Sequence, residues 1–237
     1  MSAWKPKRFW KTVTVAPVEG GFSIMLDARP AKTPGKLPLI LPTEALARAV
    51  AAEWEAQVGQ VKPETMPFTR SANSALEKVA PQKAEVVAML AAYGGSDLLC
   101  YRATGPQELI ARQAAAWDPI LDWAAQDLQA PLRVTSGVMP VAQDPEILAR
   151  LHDMVAGFDS FQIAAFHDLV AISGSLILAL AVIRGRISPQ DAWAFSRIDE
   201  TWQAELWGVD DEAALLTESK RQAFLQAFSF WTILLPN

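Results

Sequence analysis

The stretch "LVAISGSLILALAVI", Leu169 to Ile183, restricts what this chain can fold into more than any other. It carries no charge between Asp168 and Arg184. A segment that is apolar all round is either a membrane span or a helix buried inside a protein. It falls short of the ~20 residues a bilayer requires, and Ser173 and Ser175 lie inside it. It therefore reads as a buried central helix, part of a predicted helix over 161–184. Ser173-Gly174-Ser175 reads as a place of close helix packing, since it lacks the flanking glycines of a nucleophile elbow.

Beyond Pro81 nearly every segment has helical spacing. The pattern predicts helices over 81–93, 106–127 (interrupted near Pro119), 145–156, 189–207 and 212–234. Ala130 to Gln143, "APLRVTSGVMPVAQ", is the one long extended piece among them. Before about Ala80 the grammar is different. "FWKTVTV", Phe9 to Val15, alternates like a strand, Gly20-Gly21 makes a turn, and "FSIML", Phe22 to Leu26, returns as a hairpin. Thr43 is placed to cap a helix through "EALARAVAAEWEAQV" that Gly59 ends, with Leu46, Val50 and Trp54 on one stripe and Val58 at its margin. "KPETMPF" reads as a loop, after which Thr69 or Ser71 opens the next helix. The expectation is an α+β protein. A small β-rich N-terminal domain over 1–80, with one or two helices, precedes an all-helical C-terminal domain over 81–237. Trp54 is expected to be structural, packed between its helix and the strands.

Composition narrows the function classes. At 51% hydrophobic, 237 residues suffice for a sizeable core. A net charge of −5 argues against a nucleic-acid surface, and the cluster Lys5, Lys7, Arg8 and Lys11 reads as a solvated N-terminus. No apolar stretch of a secretory signal follows those charges. Cys100 is alone among apolar neighbours, so it reads as a buried small hydrophobe with no disulfide to make. A soluble, cytoplasmic protein is expected.

Chemistry-bearing patterns are scarce. His152 and His167 fall in different predicted helices, neither at metal-site spacing from another ligand, so no metal is expected. Neither G-x-G-x-x-G nor G-x-x-x-x-G-K-[ST] occurs. No cofactor and no catalytic residue is expected. Asp210, Asp211 and Glu212 open the last predicted helix, where acids meet the positive end of its dipole.

The helix predicted over 189–207 is the exception to this plainness. Ser188 caps it, Pro189 occupies its first position, and Gly208 stops it. At 3.6 residues per turn, Phe195, Ile198, Trp202 and Leu206 share one side and form the predicted core stripe. The other side holds Trp193, Glu200 and Trp207 at heptad steps, with Arg197 and Gln203 beside them. Two readings are open. The helix is sandwiched and Glu200 bonds to a neighbouring helix, or this side is an interface whose aromatic anchors flank a charge.

Within that helix, "DETWQAELWG" is similar to the E-x-x-Q-x-x-x-W-G signature of the ATP synthase assembly chaperones that bind the alpha subunit of its catalytic sector. "RFWKTVTV", "IMLDARPAKTP", "LPTEALARAVAAEWEAQ", "MPFTRSAN", "SDLLCYRA" and "WDPILDW" match family segments in order, so the resemblance runs from Arg8 to Glu212. It implies a β-containing N-terminal domain followed by a helical bundle. It also implies a chaperone without catalytic activity, which holds the unassembled alpha subunit soluble until the beta subunit replaces it. Glu200 is then the acid of the signature, with Gln203, Trp207 and Gly208 alongside, and Trp54 matches the family's E-W-x-x-Q segment. The partner surface implied comprises Glu200, Gln203, Trp207, Trp193 and Arg197, while Trp54 and Gly208 are structural. No nucleic acid, membrane insertion or small-molecule substrate is expected. Eukaryotic relatives carry a mitochondrial targeting extension, and many have an acidic-aromatic-His-Asp stretch after W-G. This sequence lacks the extension, which points to a bacterial, cytoplasmic member; it also lacks that stretch, reading "VDDEAALL" after Gly208, which leaves open whether those residues touch the partner. Two other classes make different demands. A hydrolase or transferase working through carboxylate pairs needs a deep pocket in which they face each other. A small-ligand carrier needs an enclosed apolar cavity.

Overall fold

A computed structural model describes residues 7–208 and 210–235; Lys5 of the basic cluster lies outside them. The α+β architecture holds, with a small N-terminal sheet followed by a mostly helical remainder. By their internal contacts the residues form two units. Among the described residues, one comprises 7–83 with Ser160–Ala165 and 229–235; the other comprises Ala84–Asp159 and the described part of Phe166–Phe228.

In the first unit β1 (Val13–Val18) and β2 (Gly21–Leu26) form the antiparallel hairpin, Val18 facing Gly21 across the turn. The first strand starts later than its alternation suggests. β3 (Arg29–Pro30) and β4 (Ile40–Leu41) pair with opposite ends of β2. A Cβ on Gly21 would collide with the Leu41 carbonyl, so glycine is what lets β4 close on the strand there. α1 (Glu44–Glu55) is capped as predicted, the Thr43 hydroxyl accepting from the Leu46 amide at 3.1 Å. Leu46, Ala47 and Val50 are its buried face. Trp54 is half-buried against Trp10, ring centroids 5.1 Å apart, and Trp10 is the more deeply buried.

α1 ends three residues before Val58, which is exposed. The reason lies in Arg8. Its guanidinium donates to the Glu55 and Gln57 carbonyls at 2.6 and 2.7 Å and pairs with the Glu55 carboxylate at 2.9 Å. A cation there satisfies carbonyls that a helix C-terminus leaves open. Arg8 is thus a tie within the unit, unlike the solvated residue its neighbours suggested. α2 (Pro67–Ser74) also starts earlier than expected. The Glu53 carboxylate accepts from the Phe68 and Thr69 amides (2.7 and 2.8 Å) and from the Thr69 hydroxyl (2.6 Å), doing the capping from another helix. A π turn over Ala75–Val79 and a 3₁₀ turn over Ala80–Gln82 lead into α3 (Lys83–Ala92).

The second unit holds α4 (Gln107–Asp127), which runs through Pro119, and α5 (Pro145–Ala156). Between them, β6 (Thr135–Ser136) pairs in parallel with β5 (Tyr101–Arg102), a short ladder inside the otherwise helical part. The central apolar run forms two helices rather than one, α6 (Ser160–Ser173) and α7 (Leu176–Ile183). Gly174 breaks them at φ 73°, and the Ser175 hydroxyl caps α7 by accepting from the Leu178 amide at 2.9 Å. Ser173 thus ends one helix, its hydroxyl donating to the Leu169 carbonyl at 2.6 Å, and Ser175 starts the next. Every side chain from Leu176 to Val182 is buried, so α7 is the core anticipated. Asp97, fully buried, accepts from the Ser175 hydroxyl (2.7 Å) and the Ile177 amide (3.0 Å) at the start of α7. Cys100 is buried, and loss of water pushes its thiol up to about 12.

Candidate functional site

The helix predicted over 189–207 is also two, α8 (Pro189–Ser196) and α9 (Ile198–Trp207). Ser188 caps α8, accepting from the Asp191 amide at 3.0 Å. Arg197, at φ −117° and ψ 15°, leaves helical geometry and turns α9 away from the line of α8. That break undoes the predicted stripes. Ile198 is buried as expected, but Leu206 is exposed, and Trp193 is buried at 8% exposure, its ring 6.2 Å from that of Phe224. Trp193 therefore does not belong to an open face.

Arg197 and Glu200 follow from this arrangement. The Arg197 guanidinium lies 5.6 Å over the Trp193 ring and meets the Glu200 carboxylate at 2.7 Å. The buried indole holds the half-buried arginine, and the arginine orients an acid that remains exposed. Glu200 is not the buried tie of the sandwiched-helix reading. Gln203 is exposed, and Trp207 is 86% exposed. Gly208 closes α9 at φ 85°, its amide bonding the Ala204 carbonyl at 2.9 Å. No atom would meet a Cβ there, so the requirement is for the left-handed backbone alone.

Polar ties, more than apolar burial, fix α9 to α4. Arg112 forks onto Glu205 with two contacts of 2.9 Å and covers the Trp202 ring at 5.0 Å. Those bonds hold the Glu205 carboxyl below its usual range. Gln113, 1% exposed, accepts from the Ala103 amide (2.8 Å) and donates to Asp199 (2.6 Å). The Trp117 indole donates to the Phe195 carbonyl at 2.9 Å, at the end of α8. Neither Arg112 nor Gln113 stands out in the sequence, because their partners lie far away along the chain.

After Gly208 the acids stand out in the sequence and the two leucines behind them do not. Asp210 caps α10 (Asp211–Ile233), accepting from the Ala213 amide at 3.2 Å, which is the role its position suggested. Leu215 and Leu216, in the next turn, are 74% and 59% exposed. The signal was available: Leu215 lies half a turn round the helix from Phe224, where the buried stripe of α10 begins.

His152 and His167 each lie beside the following aspartate, at 3.4 and 2.9 Å. Among the described residues no three His, Cys, Asp or Glu side chains come together as a metal site, and no helix is long and apolar enough to cross a membrane. An open depression of about 320 Å³ is lined by Pro119, Asp122, Trp123, Gln126, Asp127 and Arg186. It is neither the enclosed apolar cavity of a carrier nor a deep cleft of facing carboxylates.

Residues 7–125 match the family model for the ATP12 chaperone protein. The crystal structure of Atp12 from Paracoccus denitrificans superimposes with a TM-score of 0.94 at 55% identity, covering 97% of this chain and 98% of that one. A protein from Agrobacterium tumefaciens gives a TM-score of 0.91 at 41% identity, over 97% and 87% of the two chains. The mitochondrial atp12 protein of Schizosaccharomyces pombe is 25% identical over 219 residues, 87% of this chain and 75% of its own.

Proposed function

This chain belongs to the ATP12 chaperone family, which serves ATP synthase assembly, and from that premise we propose that it holds the unassembled alpha subunit soluble until the beta subunit takes its place. It does so without catalysis, in the cytoplasm, by covering apolar assembly surface that would otherwise aggregate. The observation that carries the reading is the exposure of the signature residues. An indole left 86% exposed at Trp207, next to Gln203 and an acid on a prepared arginine, is costly in water and useful against a partner. Glu200, Gln203 and Trp207 make the contact, and Arg197 and Trp193 position Glu200 from beneath.

Glu200→Lys tests this. The substitution lies at the surface, so the isolated protein should melt within about 1 kcal/mol of wild type even with Arg197 facing a like charge. Co-expressed alpha subunit should then fall out of solution, because the variant sets a cation where the partner meets an acid. A mutant that melts normally and still keeps the alpha subunit soluble removes Glu200 from the contact.

A further inference from the structure

Resting on that reading, we propose that the corner between α9 and α10 is the docking element, and that it enters an apolar hollow of the client subunit edged by basic side chains. From Glu205 to Lys220 every described side chain is exposed. Helices in folded proteins owe most of their stability to a packed face, yet none of the side chains in the opening turns of α10 is buried among the described residues. Burial in that helix begins only at Phe224. The unpacked corner is nevertheless rich in apolar side chains. Leu206 and Trp207 precede Gly208, 59% and 86% exposed, and Leu215 and Leu216 follow it. Leu216 lies only about 8 Å along α10 from its first residue, so the four side chains bracket a single turn of the chain.

The charges around this corner say what fits it. Three nearby cations are already engaged, Arg112 with Glu205, Arg197 with Glu200 and Arg221 with Glu218, and Lys220 stands at the far end of the stretch from the tip. Asp211 and Glu212 have no ion-pair partner among the described residues, and Asp210 joins them at the tip. An apolar patch with an acidic edge repels a second copy of itself and an anionic membrane alike. It is complementary to an apolar surface flanked by Lys or Arg. The corner thus extends the contact of Glu200 and Trp207 past Gly208, into α10.

The test uses the full chain co-expressed with the ATP synthase alpha subunit, comparing wild type with Leu215→Ser/Leu216→Ser and with Asp211→Lys/Glu212→Lys. Each variant should elute as wild type does, the leucine variant melting with it and the lysine variant slightly below it for want of acids at the positive end of the α10 dipole, and each should keep less alpha subunit in solution by about tenfold or more. Leu215→Met/Leu216→Met should retain holding. Amide hydrogen exchange over 205–220 should be fast in the free protein and slow in the complex. Full holding by both double variants, or unchanged exchange of 205–220 in the complex, overturns the docking element and leaves the holding function standing. A wild-type dimer that the leucine variant dissolves overturns it in favour of self-association. Wild type that leaves the alpha subunit insoluble overturns the holding function, and the docking assignment with it.

Discussion

Asp97 is fully buried, with donors pointed at it from Leu99, Ser175 and Ile177. Burial outweighs those bonds and pushes its carboxyl up to about 6. The folded chain then binds the proton more tightly than the unfolded chain, so the usual acid-denaturation sign is reversed at this residue. Its contribution is greatest below about pH 4 and is lost as pH rises through about 6. Relative to Asp97→Asn, wild type should lose on the order of 3 kcal/mol across that window, two units at about 1.4 kcal/mol each. Urea titrations of both proteins at pH 4, 5, 6 and 7 give the difference; a flat difference would place the titration elsewhere. Single residues were legible in the sequence when their job was local. Thr43 and Ser188 cap their own helices, and Cys100 packs as its neighbours suggest. Asp97 was not legible, because the helix it serves starts far along the chain.

Helices were easy to see and their breaks were not. Two long predicted helices each divide, at Gly174 and at Arg197. The first break left a glycine and a capping serine in plain view, overshadowed by the apolarity on both sides. The second has no such mark: the periodicity runs straight through Arg197, and the turn there comes from packing. That one residue sent Trp193 inward and Leu206 outward, so only part of the candidate set lies open to solvent. Glu200, Gln203 and Trp207 stayed exposed because they lie on the far half. The hold on that half is polar, which makes Gln113 its weak point. Gln113→Leu strands the Ala103 amide and frees Asp199, a loss of about 1–3 kcal/mol. A urea melt should show the cost, and faster amide exchange over 198–207 should show where it falls. Equal exchange in mutant and wild type would mean that Arg112 alone holds α9.

At the scale of the whole molecule, the two grammars of the sequence were sufficient for the α+β class. The family was legible because several ordered segments matched together. Segments from elsewhere in the chain that complete a unit were not visible in any one window. Isothermal titration with Mg-ATP should give no heat of tight binding, consistent with a sequence that lacks a phosphate-cradling loop; low-micromolar affinity would call for a nucleotide-dependent release step. One long-range tie has a consequence for how the protein is made. The Thr43 hydroxyl bonds the Ile233 carbonyl at 3.1 Å, and the Phe68 ring lies 6.2 Å from that of Phe230. The unit that holds the early strands is therefore closed by residues translated 190 positions after Thr43. While the intervening chain is synthesised the hairpin waits for its partner, and loss of Phe230 and Ile233 would damage a part of the nascent chain far older than themselves.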